Sequence, residues 1–429
     1  MQSNTFLLFA VFAGMLFVTR IGLPLGLSLI LGGIAMDAIG SKALSTVGTD
    51  LFHALTGAEV WLLMLTTALL LEYGRFLNEE RNASAVVAAA ESWSGRHGRA
   101  MSLILLPAAI GLVPMPGGAL VSAPLVDQAA RGGSWSPAWK SAVNYWFRHV
   151  WEYWWPIFPV VVVTLSIFHM PTWQYMLTLI PFTVVSFSAG YVFLVRPHRD
   201  ELSQPVERTT GDPQRLRRLV ASLGVVVVVA LLLPPVLESA ALVSGQQGKL
   251  VAMVIGLVAG LVVLWIDPSQ RGGTRLFAEL GSARSLQQIG TMGGVMVFQA
   301  LLDSSARLPL AGDEMMASGI PLPCVVALLP LMAGIITGIA AGFAGMAFPL
   351  IVGLMEITGS NLTPLATLAL AFGFGYAGMM LSPVHLCLVL TRNYFDASLL
   401  AIYRLILPCV AGLLLSAAGL FVVLRHLGL

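Results

Sequence analysis

Asn144, Arg148 and Glu152 recur at four-residue intervals in the run Asn144–Pro156, which reads Asn-Tyr-Trp-Phe-Arg-His-Val-Trp-Glu-Tyr-Trp-Trp-Pro. On a helix these three share one face, with His149 beside them and Trp155 continuing the stripe. The chemistry on offer is anion recognition. A guanidinium presents a planar fork that suits a carboxylate, a histidine can support it, and a glutamate can serve as the coupling group. The segment is apolar enough to lie in a membrane, where ionisable side chains are costly and mark substrate or ion paths. Pro156 interrupts the helical ladder and Pro159 follows, so the helix is expected to break there and free backbone carbonyls, that of Trp155 among them. Such a break is tolerated in lipid only when protein or a water-filled cavity surrounds it. The other reading of Arg148 and Glu152 is a structural ion pair.

The elements that would position these residues follow from composition. Of 429 residues, 57% are hydrophobic and 10% charged, and mean hydropathy is +0.85. A soluble domain carries roughly a quarter charged residues, so the expectation is an all-α polytopic membrane protein. The length allows about ten spans of some 20 residues each, with little left for a soluble domain. A net charge of +2 with arginines scattered among loops gives no sign of a nucleic-acid partner. Cys324, Cys387 and Cys409 sit in apolar segments without ligand spacing and read as small core residues. The first apolar run lacks a basic n-region and is taken as a span.

In chain order, residues 4–78 give scaffold helices from runs at 4–19, 21–39 and 58–78, with a polar loop around Lys42 to Gly57. A basic stretch containing Arg75, Arg81, Arg96 and Arg99 reads as a surface helix. Residues 101–131 form two short apolar arms around Pro114-Met115-Pro116-Gly117-Gly118, each too short to cross a core of about 30 Å. A re-entrant hairpin is expected, with Pro116, Gly117 and Gly118 at its tip and Ser122 one turn in, where backbone N–H groups favour an anion. The broken helix 137–168 and a span 173–195 complete the first half, and a charged linker, 196–215, follows. The second half, 216–429, contains spans over 216–302 with an amphipathic helix near 275–288, a hairpin at 320–358, a broken helix at 363–395 and a span at 398–424.

The halves, 1–195 and 216–429, match each other in their prolines and glycines. Leu106-Pro107 and Gly111 align with Leu329-Pro330 and Gly334 at an offset of 223, and Pro137 and Pro156 with Pro364 and Pro383 at 227. The repeat places a second hairpin tip between Thr337 and Gly345, including Gly342, and a second break near Pro383 flanked by Ser382 and His385. With the N-terminus outside, 18 of the 23 Lys and Arg residues fall on the cytoplasmic side of an inner membrane, linker included. Five spans per half make the two repeats inverted, the architecture of secondary transporters with discontinuous helices.

Three motifs, Met115–Pro124, Asn144–Pro156 and Leu381–Cys387, resemble a family of uncharacterised prokaryotic integral membrane proteins that converges with the gluconate permeases in the ion transporter superfamily. The resemblance covers nearly the whole chain. It implies a homodimer with a fixed scaffold and a moving, elevator-type transport domain, carrying a small organic anion by symport with Na⁺ or H⁺. The Ser-Asn-Thr hairpin tips of the dicarboxylate branch are replaced here by Pro-Gly-Gly and Gly-rich tips, so that branch's sodium sites are not carried over.

The residues suggest a central site for a carboxylate between the hairpin tips and the helix breaks, and with the resemblance the expected substrate is a carboxylate or sugar acid. Its binding set is Pro116, Gly117, Gly118, Ser122, Asn144, Arg148, His149, Trp155, Thr337, Gly342, Gly345, Ser382 and His385, with Glu152 coupling to an ion. No cofactor is expected beyond a coupling Na⁺ or H⁺, which carbonyls at Trp155 and Ser382 or the Glu152 carboxylate would take. Ser382 and His385 lack a third orienting group, no hydrolase or P-loop motif is present, and the chain does not read as an enzyme. A passive channel or membrane scaffold is the alternative.

Overall fold

A computed structural model describes residues 3–38, 44–94, 98–114, 117–131, 133–198, 202, 212–243, 245–266, 277, 280–305, 307–355, 360 and 362–429. Apolar runs wind into helices because each span must satisfy its own backbone. The chain opens with α1 (Ser3–Arg20), α2 (Leu25–Ala38), the short α3 (Leu44–Thr56) and α4 (Ala58–Leu77). The helix α5 (Glu80–Ser94) leads into a helical hairpin, α6 (Arg99–Gly111) and α7 (Ala119–Ala129). Then α8 (Pro137–Arg148) and α9 (Pro159–Phe168) flank an irregular stretch, and α10 (Thr172–Gly190) runs on through a wider turn to His198.

The second half starts with α11 (Pro213–Ser239), α12 (Gly245–Trp265), α13 (Ala283–Ser304) and the short α14 (Arg307–Ala317). A second hairpin, α15 (Leu322–Thr337) and α16 (Ala340–Met355), precedes a second interrupted helix, α17 (Pro364–Met380) and α18 (Leu386–Phe395), and α19 (Leu399–His426) closes the chain. Among the described residues, five helices are long and apolar enough to cross a membrane unaided: α4, α10 with its extension to His198, α11, α12 and α19. The protein is a polytopic, all-helical membrane protein.

Start signals account for where the helices begin. Ser136 accepts from Trp139 N at 3.1 Å and Pro137 occupies the first turn of α8, where a missing N–H costs nothing. Pro159 and Pro364 open α9 and α17 in the same way. Asp212 caps α11 and Ser282 caps α13.

The two hairpins pack alike. The first arm of each lies along the first segment of the broken helix in its own half, α6 on α8 and α15 on α17. The second arm of each packs on the distal segment from the other half, α7 on α18 and α16 on α9. Gly111 and Gly334, aligned by the sequence repeat, sit at the two first-arm crossings. A Cβ on Gly111 would come within 2.0 Å of Arg148 O, and one on Gly334 within 2.3 Å of Gly375 O. Only glycine lets backbone meet backbone there.

Several expectations are corrected. The region 44–56 is helix α3 rather than loop, and α14 was not foreseen. The amphipathic helix near 275–288 is not a separate element within the described residues, because the Ser282 cap starts one continuous helix, α13. The ends of the linker are helical, since α10 extends to His198 and α11 begins at Pro213; residues 199–201 and 203–211 lie outside the described ones. Most consequentially, α8 stops at Arg148, well before Pro156, so Glu152 and Trp155 are not on one helical face with Asn144 and Arg148.

Candidate functional site

The early end of α8 has a local cause. His149 Nδ1 lies 2.6 Å from Tyr145 O, the carbonyl that the His149 amide would take in a continuing helix, and the amide bonds Trp146 O at 3.2 Å instead. The chain then runs in turns to Phe158. Its carbonyls are met by hydroxyl groups from neighbouring helices: Tyr376 donates to His149 O at 2.7 Å, Thr183 to Val150 O at 2.5 Å and Tyr175 to Tyr153 O at 2.8 Å. The indoles of Trp151 and Trp154 donate to Ala108 O and Thr183 Oγ1. This is how irregular backbone survives inside a membrane protein, with freed carbonyls recaptured by side chains of neighbouring helices.

The second break is shorter, from Leu381 to His385. Tyr145 donates to Met380 O at 3.0 Å and Tyr403 to Leu381 O at 2.8 Å. The first of these reciprocates Tyr376: each broken helix sends a tyrosine, four residues before its own accepting carbonyl, to the break of the other. Ser382 Oγ donates to Ile335 O at 2.7 Å, and His385 Nδ1 lies 2.6 Å from Gly338 O, which fastens this break to the end of α15. Gly338 terminates that helix at φ +66°, a left-handed conformation that favours glycine.

Between the breaks lies a cavity of about 240 Å³. Arg148, His149 and Glu152 reach it from the first break, His385 and Cys387 from the second, and Gly117 and Gly338 from the two hairpin tips. Arg148 is 3% exposed, and its Nη1 lies 3.3 Å from Cys387 Sγ. Glu152 accepts from Tyr376 at 3.1 Å and stands 3.9 Å from His149 Nε2. The two histidines approach to 3.1 Å between their Nε2 atoms. Pro114, Gly117 and Gln288 are shared with a larger vestibule of about 620 Å³ that also carries Arg75 and Arg284, while Glu152, Ile339 and Ala340 border a further pocket of about 200 Å³. A buried guanidinium beside a cavity of this size can grip one small anion.

Of the residues expected from sequence, Gly117, Arg148, His149, Glu152 and His385 therefore meet at one cavity. The other described ones do not line it. Gly118 caps α7, and Ser122 turns its hydroxyl back to Gly118 O and Ala119 O. Asn144 is fully buried one layer away, donating to Ala119 O and Thr391 Oγ1, with its Oδ1 left without a hydrogen-bond partner. Trp155 packs edge-on against Trp154, and its carbonyl accepts from Phe158 N; the Ser382 carbonyl likewise accepts from His385 N. Thr337 Oγ1 donates to Ala333 O within its own helix. Gly342 and Gly345 lie inside α16, where Gly345 makes room for Val295 of α13, so the second tip is Gly338-Ile339 and no free amide follows Gly345. Pro116 lies outside the described residues.

Sequence reasoning missed Cys387, Tyr145, Tyr376 and Gln288. The one available signal was the spacing His385-x-Cys387 beside a predicted break. The tyrosines carry no motif, because their role is to satisfy backbone in the opposite half.

Comparison with known proteins supplies the family. A family profile described as a protein of unknown function, DUF401, matches residues 3–259 and 287–423. The chain belongs to the DUF401 family. A search among curated proteins found no match. Among solved structures, this DUF401 chain is similar to the crystal structure of the Alcanivorax borkumensis YdaH transporter, reported there to have an unusual topology, with a TM-score of 0.62 and 16% identity over 100% of this chain and 99% of that one. At that identity the likeness is one of fold.

Proposed function

We propose that this protein is a secondary active transporter of a small organic anion, a carboxylate or sugar acid, within the ion transporter superfamily. The observation that supports it most is the meeting of buried Arg148 from one broken helix with His385 from the other at a cavity bordered by both hairpin tips. The similarity in fold to the YdaH transporter is consistent with transport. In this reading Arg148 holds the carboxylate, His149 supports it, and Glu152 is the group that senses the coupling ion, Na⁺ or H⁺.

The matching hairpins and the reciprocal tyrosines are what two inverted repeats would produce, and the long helices α4, α11 and α12 with α2 and α13 would be the fixed scaffold of a homodimer. Elevator-type movement of the two hairpins and broken helices against that scaffold would carry the site across. With the N-terminus outside an inner membrane, the vestibule at Arg75 and Arg284 would face the cytoplasm and this conformation would be inward-open.

Thermal stability of the purified protein against small carboxylates, sugar acids, amino acids and neutral controls, with and without Na⁺ at two pH values, tests this reading. A ligand of the folded state raises the midpoint by mass action. Stabilisation by one anion class, dependent on Na⁺ or pH, is the expected result. Stabilisation by neutral or cationic solutes alone would favour a channel or scaffold with Arg148 and Glu152 as a structural pair.

A further inference from the structure

The two imidazoles at the cavity are held alike, each through its Nδ1 to a backbone carbonyl. Tyr145 O and Gly338 O, each 2.6 Å from an Nδ1, can only accept, so each Nδ1 carries a hydrogen, which in the neutral form is the ring's only one. Both Nε2 atoms are then lone-pair donors, and they face each other at 3.1 Å. Two lone pairs at that distance repel unless a cation lies between them. Cys387 Sγ completes a set of three buried groups whose donor atoms all lie within 4.8 Å of one another. Two imidazole nitrogens bound at about 2.0–2.1 Å to one tetrahedral ion stand roughly 3.3 Å apart, close to the spacing already present. An Nδ1–H bonded to a backbone carbonyl is also the arrangement that orients metal-binding histidines.

We propose that His149, His385 and Cys387 form a binding site for one transition-metal ion of the Zn²⁺ or Cu⁺ class. Two imidazoles and a thiolate suit borderline and soft ions, whereas Na⁺ and Mg²⁺ take oxygen ligands. The Arg148 Nη1, 3.3 Å from Sγ, sets a positive charge beside the sulfur. Glu152 lines the same cavity, with its Oε1 3.9 Å from His149 Nε2. Because His149 belongs to the first break and His385 and Cys387 to the second, a bound ion ties the two together. The site shares the cavity with the proposed anion but does not depend on transport, and metal binding is measured without it.

The test is titration of tag-free, chelator-treated protein with Zn²⁺, Cu⁺ and Co²⁺. One equivalent of metal should bind, Zn²⁺ should raise the melting midpoint, and Co²⁺ should give a near-ultraviolet thiolate-to-cobalt charge-transfer band. Cys387→Ser should abolish the band, and His385→Gln should weaken Zn²⁺ binding by at least about tenfold. Wild-type protein that binds no stoichiometric metal, or shows no thiolate band with Co²⁺, overturns the proposal and leaves a shared proton between the rings. Metal binding unchanged in both variants overturns it as well.

Discussion

The two helix breaks are supported alike and equipped differently. Each receives a tyrosine hydroxyl from the other half, and the helix leading into each packs on the first arm of a hairpin through a glycine contact. The first break nevertheless runs from His149 to Phe158 and brings Arg148, His149 and Glu152 to the cavity, whereas the second runs only from Leu381 to His385 and contributes His385 with the adjacent Cys387. Ser382, the remaining polar side chain of the second break, is committed to Ile335 O. The difference separates two requirements. Recapturing freed carbonyls is needed wherever a helix is interrupted in a membrane, so both breaks meet it in parallel ways. Charge is needed only where a ligand is gripped, and it is concentrated on one side.

The glycine contacts test the parallel most severely. Gly111→Val and Gly334→Val each push a side chain into backbone, at an expected cost of about 3 kcal/mol or more, beyond the usual range for overpacking because backbone cannot yield as a side chain does. Both variants should lose most of their folded yield in fluorescence-detected size exclusion. Tolerance of one and not the other would show that the two crossings are not equivalent.

Removing the reciprocal hydroxyls comes next. Tyr145→Phe and Tyr376→Phe each remove a hydroxyl donor from a buried carbonyl, at about 1–3 kcal/mol. Tyr376→Phe should lower the melting midpoint further, because Tyr376 serves both His149 O and Glu152, while Tyr145 serves Met380 O alone. The reverse order would mean that the second break bears more of the stability than the first.

Much of this frame could be read from the sequence. Proline and glycine report on backbone: the sequence repeat aligned Gly111 with Gly334, and the structure puts both at close helix crossings. The charged run did mark the cavity through Arg148, His149 and Glu152. What could not be read was where α8 ends: the helix is broken at His149 by a side chain capturing a carbonyl, and Pro156 only falls within the break that results. That is why Glu152 reaches the cavity from a turn while Trp155 does not reach it. Hydroxyls and thiols from the opposite half, Tyr376 and Cys387 among them, have no sequence period that links them to their partners.

Smaller effects sharpen the boundary of the site. Glu152→Gln should leave anion binding within a few fold yet remove its dependence on Na⁺ or pH, measured by ligand-induced stabilisation under each condition; dependence that persists would take Glu152 out of the coupling role. Ser122→Ala should change stability by no more than about 0.5 kcal/mol and leave anion binding unchanged, since its hydroxyl bonds only its own helix. A large loss of binding would return the first hairpin's helix start to the site.

The most direct measurement is the affinity of purified wild-type and Arg148→Ala proteins for the carboxylate that stabilises the wild type best, with circular dichroism and melting confirming that the variant is folded. Loss of a buried charge that pairs with the ligand should weaken binding by about 2–5 kcal/mol, roughly 30-fold to several thousand-fold. Unchanged affinity in a folded variant would contradict anion binding at this cavity and make Arg148 and Glu152 a structural pair.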